Sequence, residues 1–181
     1  MEVELFSGFQ LGSLSRSNRM EEMEFLFPSH SNPLSDLVDS LPNESTLHNY
    51  LCGISKSAWE KDGLNGFLTG KIDLIFRHNA KFYILDWKSN RLNGDVVGFG
   101  PNEIRQEMLS HHYTLQYHLY VLALHLHLRD RLPRYSYDRD FGGVYYLFTR
   151  GIRSSSNAGI FEDRPSLEVI EILERFFTSS Q

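Results

Sequence analysis

Gly66-Phe-Leu-Thr-Gly-Lys-Ile-Asp73-Leu-Ile-Phe is followed by the polar break Arg77-His-Asn-Ala-Lys81 and then by Tyr83-Ile-Leu-Asp86-Trp-Lys88-Ser-Asn. The runs on either side of the break are rich in β-branched and aromatic residues, which predicts two strands joined as a hairpin. A two-residue turn at residues 79–80 sets Asp73 opposite Asp86. Because side chains alternate along a strand, Lys88 lies on the same face as Asp86. The sequence therefore predicts two carboxylates and one ammonium close together.

Two clustered carboxylates repel one another, and a divalent cation between them removes that cost. Ligation by oxygen with open coordination positions suits Mg²⁺, with Mn²⁺ as a substitute. Such an ion polarises a phosphate and lowers the pKa of a bound water, while a nearby lysine positions that water or neutralises charge on the phosphate. The chemistry indicated is hydrolysis of a phosphodiester, with Asp73 and Asp86 as metal ligands and Lys88 as the catalytic lysine.

A structural interpretation of the same residues is a weak cross-strand ion pair between Asp73 and Lys88 at a sheet edge, with Asp86 in solvent. The setting of Asp86 disfavours it. Asp86 follows Phe82-Tyr-Ile-Leu, an apolar run that predicts a strand buried on both faces, where an unpartnered charge is costly. An acid and a lysine at such a position favour a functional site.

These residues resemble the core motif of the PD-(D/E)XK nuclease superfamily, here Gly70-Lys-Ile-Asp73 and Asp86-Trp-Lys88. Further segments resemble, in order, the C-terminal nuclease domain of the RecB family, the beta subunits of exodeoxyribonuclease V helicase–nucleases. Those segments are Asp86-Trp-Lys-Ser-Asn90, Tyr113-Thr-Leu-Gln116-Tyr-His-Leu-Tyr120 and Phe141-Gly-Gly-Val-Tyr-Tyr-Leu-Phe-Thr-Arg-Gly151. The resemblance covers residues 20–28 and 66–177. It implies a restriction-endonuclease-like α/β core, a central mixed sheet flanked by helices.

The resemblance assigns metal binding to Asp73, Asp86 and the peptide carbonyl of Trp87, and catalysis to Lys88. It also places a further acid on a strand at Glu21-Glu-Met-Glu24-Phe-Leu-Phe-Pro28. Register favours Glu22 as that acid, but Glu24 shares its strand face and stays open as the alternative. Two solvated glutamates on an edge strand are the structural interpretation.

Gln116 and Tyr120 reproduce the Gln-x-x-x-Tyr element of this subfamily, which implies contact with the scissile strand or with the active-site groups. Four residues apart on a helix, they project from one face and can both form hydrogen bonds. Periodicity alone is equally consistent with Tyr120 in an apolar stripe with Tyr113 and Leu124.

One feature of the RecB family is missing. Its nucleases place a metal-ligating histidine on a helix before the first strand, and the 21 residues before Glu22 contain no histidine. The resemblance therefore implies an N-terminally truncated core that binds Mg²⁺ weakly. Five histidines on the helix around Gln116 are expected to be surface or half-buried residues rather than ligands: His111, His112, His118, His125 and His127.

Composition is consistent with one domain over residues 1–181, with 41% hydrophobic residues and no apolar run of membrane-spanning length. The single cysteine, Cys52, fits a reducing cytoplasm. A net charge of -5 disfavours an autonomous, high-affinity nucleic-acid binder. A nuclease that receives DNA from an attached motor does not need a high DNA affinity of its own, so the net charge favours one domain of a larger assembly.

Along the chain, residues 1–19 are predicted to be an irregular lead-in and residues 29–49 a polar insertion with a short helix. A helix is expected over residues 102–131, broken near Ser110, and a buried strand over residues 144–149. Gly142 and Gly143 permit an unusual backbone or a close approach. A final helix over residues 166–177 begins with Ser166 as a cap.

The function expected is Mg²⁺-dependent DNA hydrolysis by the nuclease domain of a RecB-like helicase–nuclease subunit, acting in double-strand-break repair and recombination. The implied partners are linear DNA, as single strands from unwound duplex, and RecC-like and RecD-like subunits, with ATP used only in the helicase part. Two alternatives stay open. One is a catalytically silent nuclease-like module that binds DNA or a partner subunit, and the other is the nuclease domain of an AddA-type helicase–nuclease.

Overall fold

The computed structural model describes residues 4–6, 9–29, 33–54, 66–90, 99–152 and 158–178. The strands are β1 (Glu4–Phe6), β2 (Phe9–Gln10), β3 (Arg19–Ser29), β4 (Gly66–His78), β5 (Lys81–Lys88), β6 (Phe141–Phe148) and β7 (Ile160–Asp163). The helices are α1 (Leu34–Ser40), α2 (Thr46–Cys52), α3 (Pro101–Ser110), α4 (Tyr113–Arg131), α5 (Tyr137–Asp140) and α6 (Leu167–Thr178).

The main sheet has five strands in the order β3-β4-β5-β6-β7. Strand β5 pairs antiparallel with β4 and parallel with β6, and β6 pairs antiparallel with β7. The parallel pair needs a long crossover, which α3 and α4 supply between β5 and β6 in the chain. The predicted α/β class with a central mixed sheet is confirmed.

The β4–β5 hairpin has the predicted turn and register. Asn79 and Ala80 have φ of 47° and 65°, the left-handed backbone that a two-residue type I′ turn requires. Leu74 lies opposite Leu85, and the pairing runs down to His78 opposite Lys81. This register, continued by one residue, sets Asp73 opposite Asp86.

The chain divides into two compact units. The first contains residues 1–23, 72–113 and 139–164. One face of its strands packs a core of Leu5, Phe9, Leu74, Phe76, Leu85, Tyr145 and Leu147. By the alternation of side chains, Asp86 and Lys88 belong to the opposite face of β5.

The second unit contains residues 24–71, 114–138 and 165–181. Helix α1 packs against α2 and α6. Phe27 stacks on Phe177 with ring centroids 5.7 Å apart. The amphipathic pattern of α6 buries Ile170, Leu173 and Phe177 as predicted, and Ser166 Oγ accepts the amide of Val169 as an N-cap.

Several predicted boundaries are confirmed. The long helix is broken into α3 and α4 at residues 111–112, and the polar insertion contains a short helix, α1. The lead-in was wrongly predicted to be irregular, because β1, β2 and two 3-10 turns lie within it and Leu5 and Phe9 join the core. Helix α2 and strand β7 were not predicted, since both are short and flanked by polar residues.

Gly142 and Gly143 have the two roles expected of them. A Cβ on Gly142 would overlap the Tyr83 ring, so the strand backbone approaches that ring as only glycine allows. Gly143 has φ of 147°, a conformation that residues with a Cβ rarely adopt. Among the residues that the structure describes, no helix is both long enough and apolar enough to span a membrane.

Candidate active site

Asp86 is the central charged residue of the first unit. It lies in β5 after Ile84 and Leu85, which are fully buried, and is itself only 3% exposed. Burial raises the pKa of its carboxyl to about 6, the Lys88 ammonium acts against this rise, and the negative charge of Asp73 adds to it. The structural interpretation that left Asp86 in solvent is therefore wrong.

Lys88 forms a buried ion pair with Asp86, whereas the structural interpretation paired it with Asp73. Its Nζ lies 2.6 Å from Asp86 Oδ2, and the two side chains are 11% and 4% exposed. The Lys88 ammonium attracts the Asp86 carboxylate and also forms a side-chain hydrogen bond with it, and both effects act to lower the pKa of that carboxyl. The contact is therefore a charge-assisted hydrogen bond between two largely buried side chains.

Asp73 completes the predicted trio. Its Oδ2 accepts a hydrogen bond of 3.1 Å from the amide of Trp87, just past the last paired residues of the β4–β5 ladder. This bond and the effect of its charge on Asp86 show that the carboxyls of Asp73 and Asp86 are neighbours. Trp87 itself alternates to the other face, and the residue is 38% exposed.

Aromatic rings surround the ammonium of Lys88. Nζ lies 3.9 Å from the ring centroid of Tyr113 and 4.9 Å from that of Tyr146. Tyr146 is opposite Asp86 in the parallel β5–β6 ladder, which explains its place on this face. Sequence reasoning missed both tyrosines as neighbours of Lys88, because neither is near it in the chain and no spacing rule links them.

Glu22 lies on β3 with an unusual backbone. Its φ is 57°, in the left-handed region, inside an otherwise extended strand. This distortion breaks the alternation of side chains, so Glu21 and Glu22 both line a cavity of about 500 Å³ with Asp73 and Trp87. Non-glycine residues in such strained conformations are concentrated at functional sites.

The cavity also contains Arg19, which forms an ion pair of 3.0 Å with Glu21. Glu24 is an exposed residue of the second unit. Glu22 lines the same cavity as Asp73, and the assignment of Glu22 or Glu24 as a metal ligand stays a prediction.

Gln116 and Tyr120 lie four residues apart on α4, in the second unit. Gln116 is half-buried and Tyr120 is 5% exposed. The Tyr120 ring meets the Phe25 ring edge-on with centroids 5.7 Å apart, so it has a packing role whatever its hydroxyl does. A catalytic role for this pair stays a prediction.

The histidines of this region differ in part from expectation. His111 and His112 are exposed and His127 is half-buried, as predicted. His118 and His125 are instead buried, at 1% and 6% exposure. The Nδ1 atom of His118 lies 2.7 Å from the carbonyl oxygen of Thr114. This hydrogen bond within α4 satisfies a polar atom of a buried histidine.

The oxygen donors of this site fit a hard divalent cation. Two carboxylates adjoin, the Asp86 carboxylate is largely buried, and its raised pKa reflects the unfavourable negative charge that a cation would offset. Within the described ranges, no three His, Cys, Asp or Glu side chains form a group that could hold a metal ion. Asp73, Asp86, the carbonyl of Trp87 and Glu22 stay the predicted ligands of the cation.

The sequence profile of the PD-(D/E)XK nuclease superfamily matches residues 15–177, and the chain belongs to this superfamily. Members of the superfamily typically use divalent metals, in keeping with the donors described above.

Within the superfamily the chain is a RecB-like nuclease domain. It is 37% identical over 170 residues to the RecBCD enzyme subunit RecB of Haemophilus influenzae and 37% identical over 172 residues to that of Escherichia coli. Each match covers 94% of this chain and 14% of the relative. The RecB of Mycolicibacterium smegmatis is 30% identical over 195 residues, covering 94% of this chain and 18% of that relative. The chain thus spans about a seventh of the length of the first two relatives.

Proposed function

We propose that this chain hydrolyses DNA phosphodiesters with Mg²⁺, as the nuclease domain of a RecB-like helicase–nuclease subunit. One observation carries the proposal: the buried Asp86 carboxylate adjoins Asp73 and has the Lys88 ammonium 2.6 Å from its Oδ2. Burying such a group without a compensating role is unfavourable, since its ionisation in the folded protein is disfavoured by its surroundings.

Asp73, Asp86, the Trp87 carbonyl and Glu22 would hold the ion in this function. Bound there, Mg²⁺ supplies Lewis-acid polarisation of the phosphate and a water of lowered pKa. Lys88 presents a positive charge at the same place, where it neutralises charge that develops on the phosphate oxygens or orients the attacking water. Gln116 and Tyr120 bind and orient the DNA strand.

The similarity to RecB subunits supports a role inside a larger assembly. The parent protein would act on linear DNA, on single strands released from unwound duplex, beside RecC-like and RecD-like subunits, with ATP consumed by its motor part. The net charge of -5 fits a domain that receives DNA from a motor rather than capturing it alone. We assign this exodeoxyribonuclease V type activity to double-strand-break repair and recombination in the cytoplasm.

The direct test incubates the purified chain with fluorescently labelled linear single-stranded DNA in Mg²⁺, in Mn²⁺ and in EDTA. Cleavage should require the metal and should fall by at least about a hundredfold in Asp86→Ala, because that variant lacks a ligand. Asp130→Ala, an acid-to-alanine change at an exposed position near the end of α4, is the matched control and should cleave normally.

The same reactions separate the alternatives. DNA binding without metal-dependent cleavage, in this chain and in the longer parent subunit, would contradict the proposal and support a silent binding module. Co-purification of the parent subunit with a RecC-like protein supports the RecB-type assembly. Assembly only with an AddB-type partner would instead favour the AddA class.

A further inference from the structure

The ammonium of Lys88 has two kinds of neighbour: the carboxylate of Asp86 and the faces of two tyrosine rings. Tyr113 is the nearer ring, with Nζ 3.9 Å from its centroid. We propose that Tyr113 is a positioning residue, which holds the Lys88 ammonium by a cation–π contact in the place where it acts. The catalytic part of this inference rests on the proposed nuclease function.

The Tyr113 ring is itself fixed by the Asn90 side chain, with which its hydroxyl forms hydrogen bonds both as acceptor and as donor. Asn90 Nδ2 donates to the Tyr113 hydroxyl at 3.0 Å, and that hydroxyl lies 3.2 Å from Asn90 Oδ1 as a donor. Asn90 Nδ2 also donates to Glu107 Oε1 at 2.7 Å. Asn90, two residues after Lys88, thus connects the tyrosine hydroxyl to the end of β5.

The break between α3 and α4 places Tyr113 at the start of its helix. His112, between the two helices, has φ of 58°, a conformation that costs free energy in a non-glycine residue. His111 stacks on Tyr113 at 5.5 Å with an interplanar angle of 19°, and its Nε2 lies 3.0 Å from Glu107 Oε1. The left-handed residue at the helix break, the stacked ring and the hydrogen bonds thus all act on the same aromatic side chain.

Lys88 needs such a support because Asp86 would have to bind both the Lys88 ammonium and the divalent cation. A carboxylate that neutralises Lys88 in the metal-free protein is also a proposed ligand of the divalent cation. The π face of Tyr113 attracts the ammonium without depending on Asp86. Tyr146 adds a second face at 4.9 Å, but it is fully buried, so Tyr113, which is half-buried, is the ring that can be changed.

A spectroscopic test detects the contact between Lys88 and Tyr113 independently of DNA cleavage. Protons above an aromatic ring are shielded, so the Lys88 ε-methylene protons should resonate upfield in protein labelled with ¹³C-lysine, with Lys88→Arg supplying the assignment. Tyr113→Leu should move that signal toward the other lysines, whereas Tyr113→Phe should keep most of the shift. An unshifted Lys88 signal in the wild-type protein would overturn the inference.

The kinetic test uses the same variants in the DNA cleavage assay. Tyr113→Leu should lower kcat about tenfold, equivalent to about 1.4 kcal/mol, with little change in KM. Tyr113→Phe, which keeps the ring, should recover most of that loss. Tyr135→Leu is the matched control, since its hydroxyl meets His125 in the second unit and not Lys88.

A double-variant cycle separates positioning from mere stabilisation. In a Lys88→Ala background, adding Tyr113→Leu should cost no further activity, because the group that Tyr113 positions is gone. A tenfold loss that persists in that background, or a rise in KM in place of a fall in kcat, would contradict the inference. If neither the wild-type chain nor the parent subunit cleaves DNA, the proposed function fails, while the spectroscopic result still decides whether Tyr113 holds Lys88.

Discussion

Replacing Asp86 by asparagine should stabilise the fold while it abolishes cleavage. Asparagine has nearly the same shape, so the packing beside Ile84 and Leu85 is kept. The substitution removes a negative charge that is unfavourable at this place. The Asp86 side chain is only 4% exposed, and burial is the main cause of its raised pKa. A neutral amide carries no such penalty.

The size of the gain follows from the pKa. The carboxyl titrates at about 6 in the folded chain, against its ordinary 3.8. Because the folded state retains the proton to higher pH, the contribution of Asp86 to stability is fully present below pH 3.8 and is lost as pH rises through about 6. A difference of about two pH units corresponds to about 3 kcal/mol, which is the cost of the ionised carboxylate above pH 7.

Urea denaturation of the wild-type chain and of Asp86→Asn, both in EDTA at a series of pH values from 4 to 8, measures this directly. The free energies of unfolding should be similar near pH 4, and the variant should become more stable by up to about 3 kcal/mol at pH 8. Asp130→Asn controls for the loss of one surface charge. A difference between wild type and Asp86→Asn that stays constant across this range would refute the burial argument.

Three further outcomes are expected. Gly142→Ala should destabilise the chain by about 1–3 kcal/mol in urea unfolding, because its Cβ overlaps the Tyr83 ring; unchanged stability would show that the ring moves freely. Glu174→Gln should cost less than about 1 kcal/mol, because the Arg129 partner is half exposed. Since Arg129 lowers the pKa of Glu174, that contribution should vanish at low pH. Lys88→Ala should impair cleavage but still bind Mn²⁺ by calorimetry; loss of Mn²⁺ binding as well would make Lys88 a structural residue.

The hairpin could be predicted from the sequence because its signals are local. A polar break between two apolar strands sets the turn, the turn sets the register, and the register places Asp73 near Asp86. The position of Lys88 on the same face as Asp86 follows from the alternation of side chains along a strand. None of these steps requires knowledge of any distant part of the chain.

The surroundings of Lys88 could not be predicted in this way. Tyr113 and Tyr146 reach it from another helix and another strand, and their arrangement depends on packing and on the left-handed residue at His112. The backbone at Glu22 was equally hidden, since a glutamate inside a strand gives no sign of positive φ. Tertiary structure imposes both conformations against local preference.

The turn at Asn79 and Ala80 limits where this chain can gain or lose residues. Lengthening a surface loop costs little, since closure entropy grows slowly with length. An extra residue between His78 and Lys81 is different, because sliding β5 by one place would carry Asp86 to the opposite face of the sheet. Other surface connections of this chain can therefore change in length at little cost, while this one hairpin must keep its residue count to keep Asp86 beside Asp73.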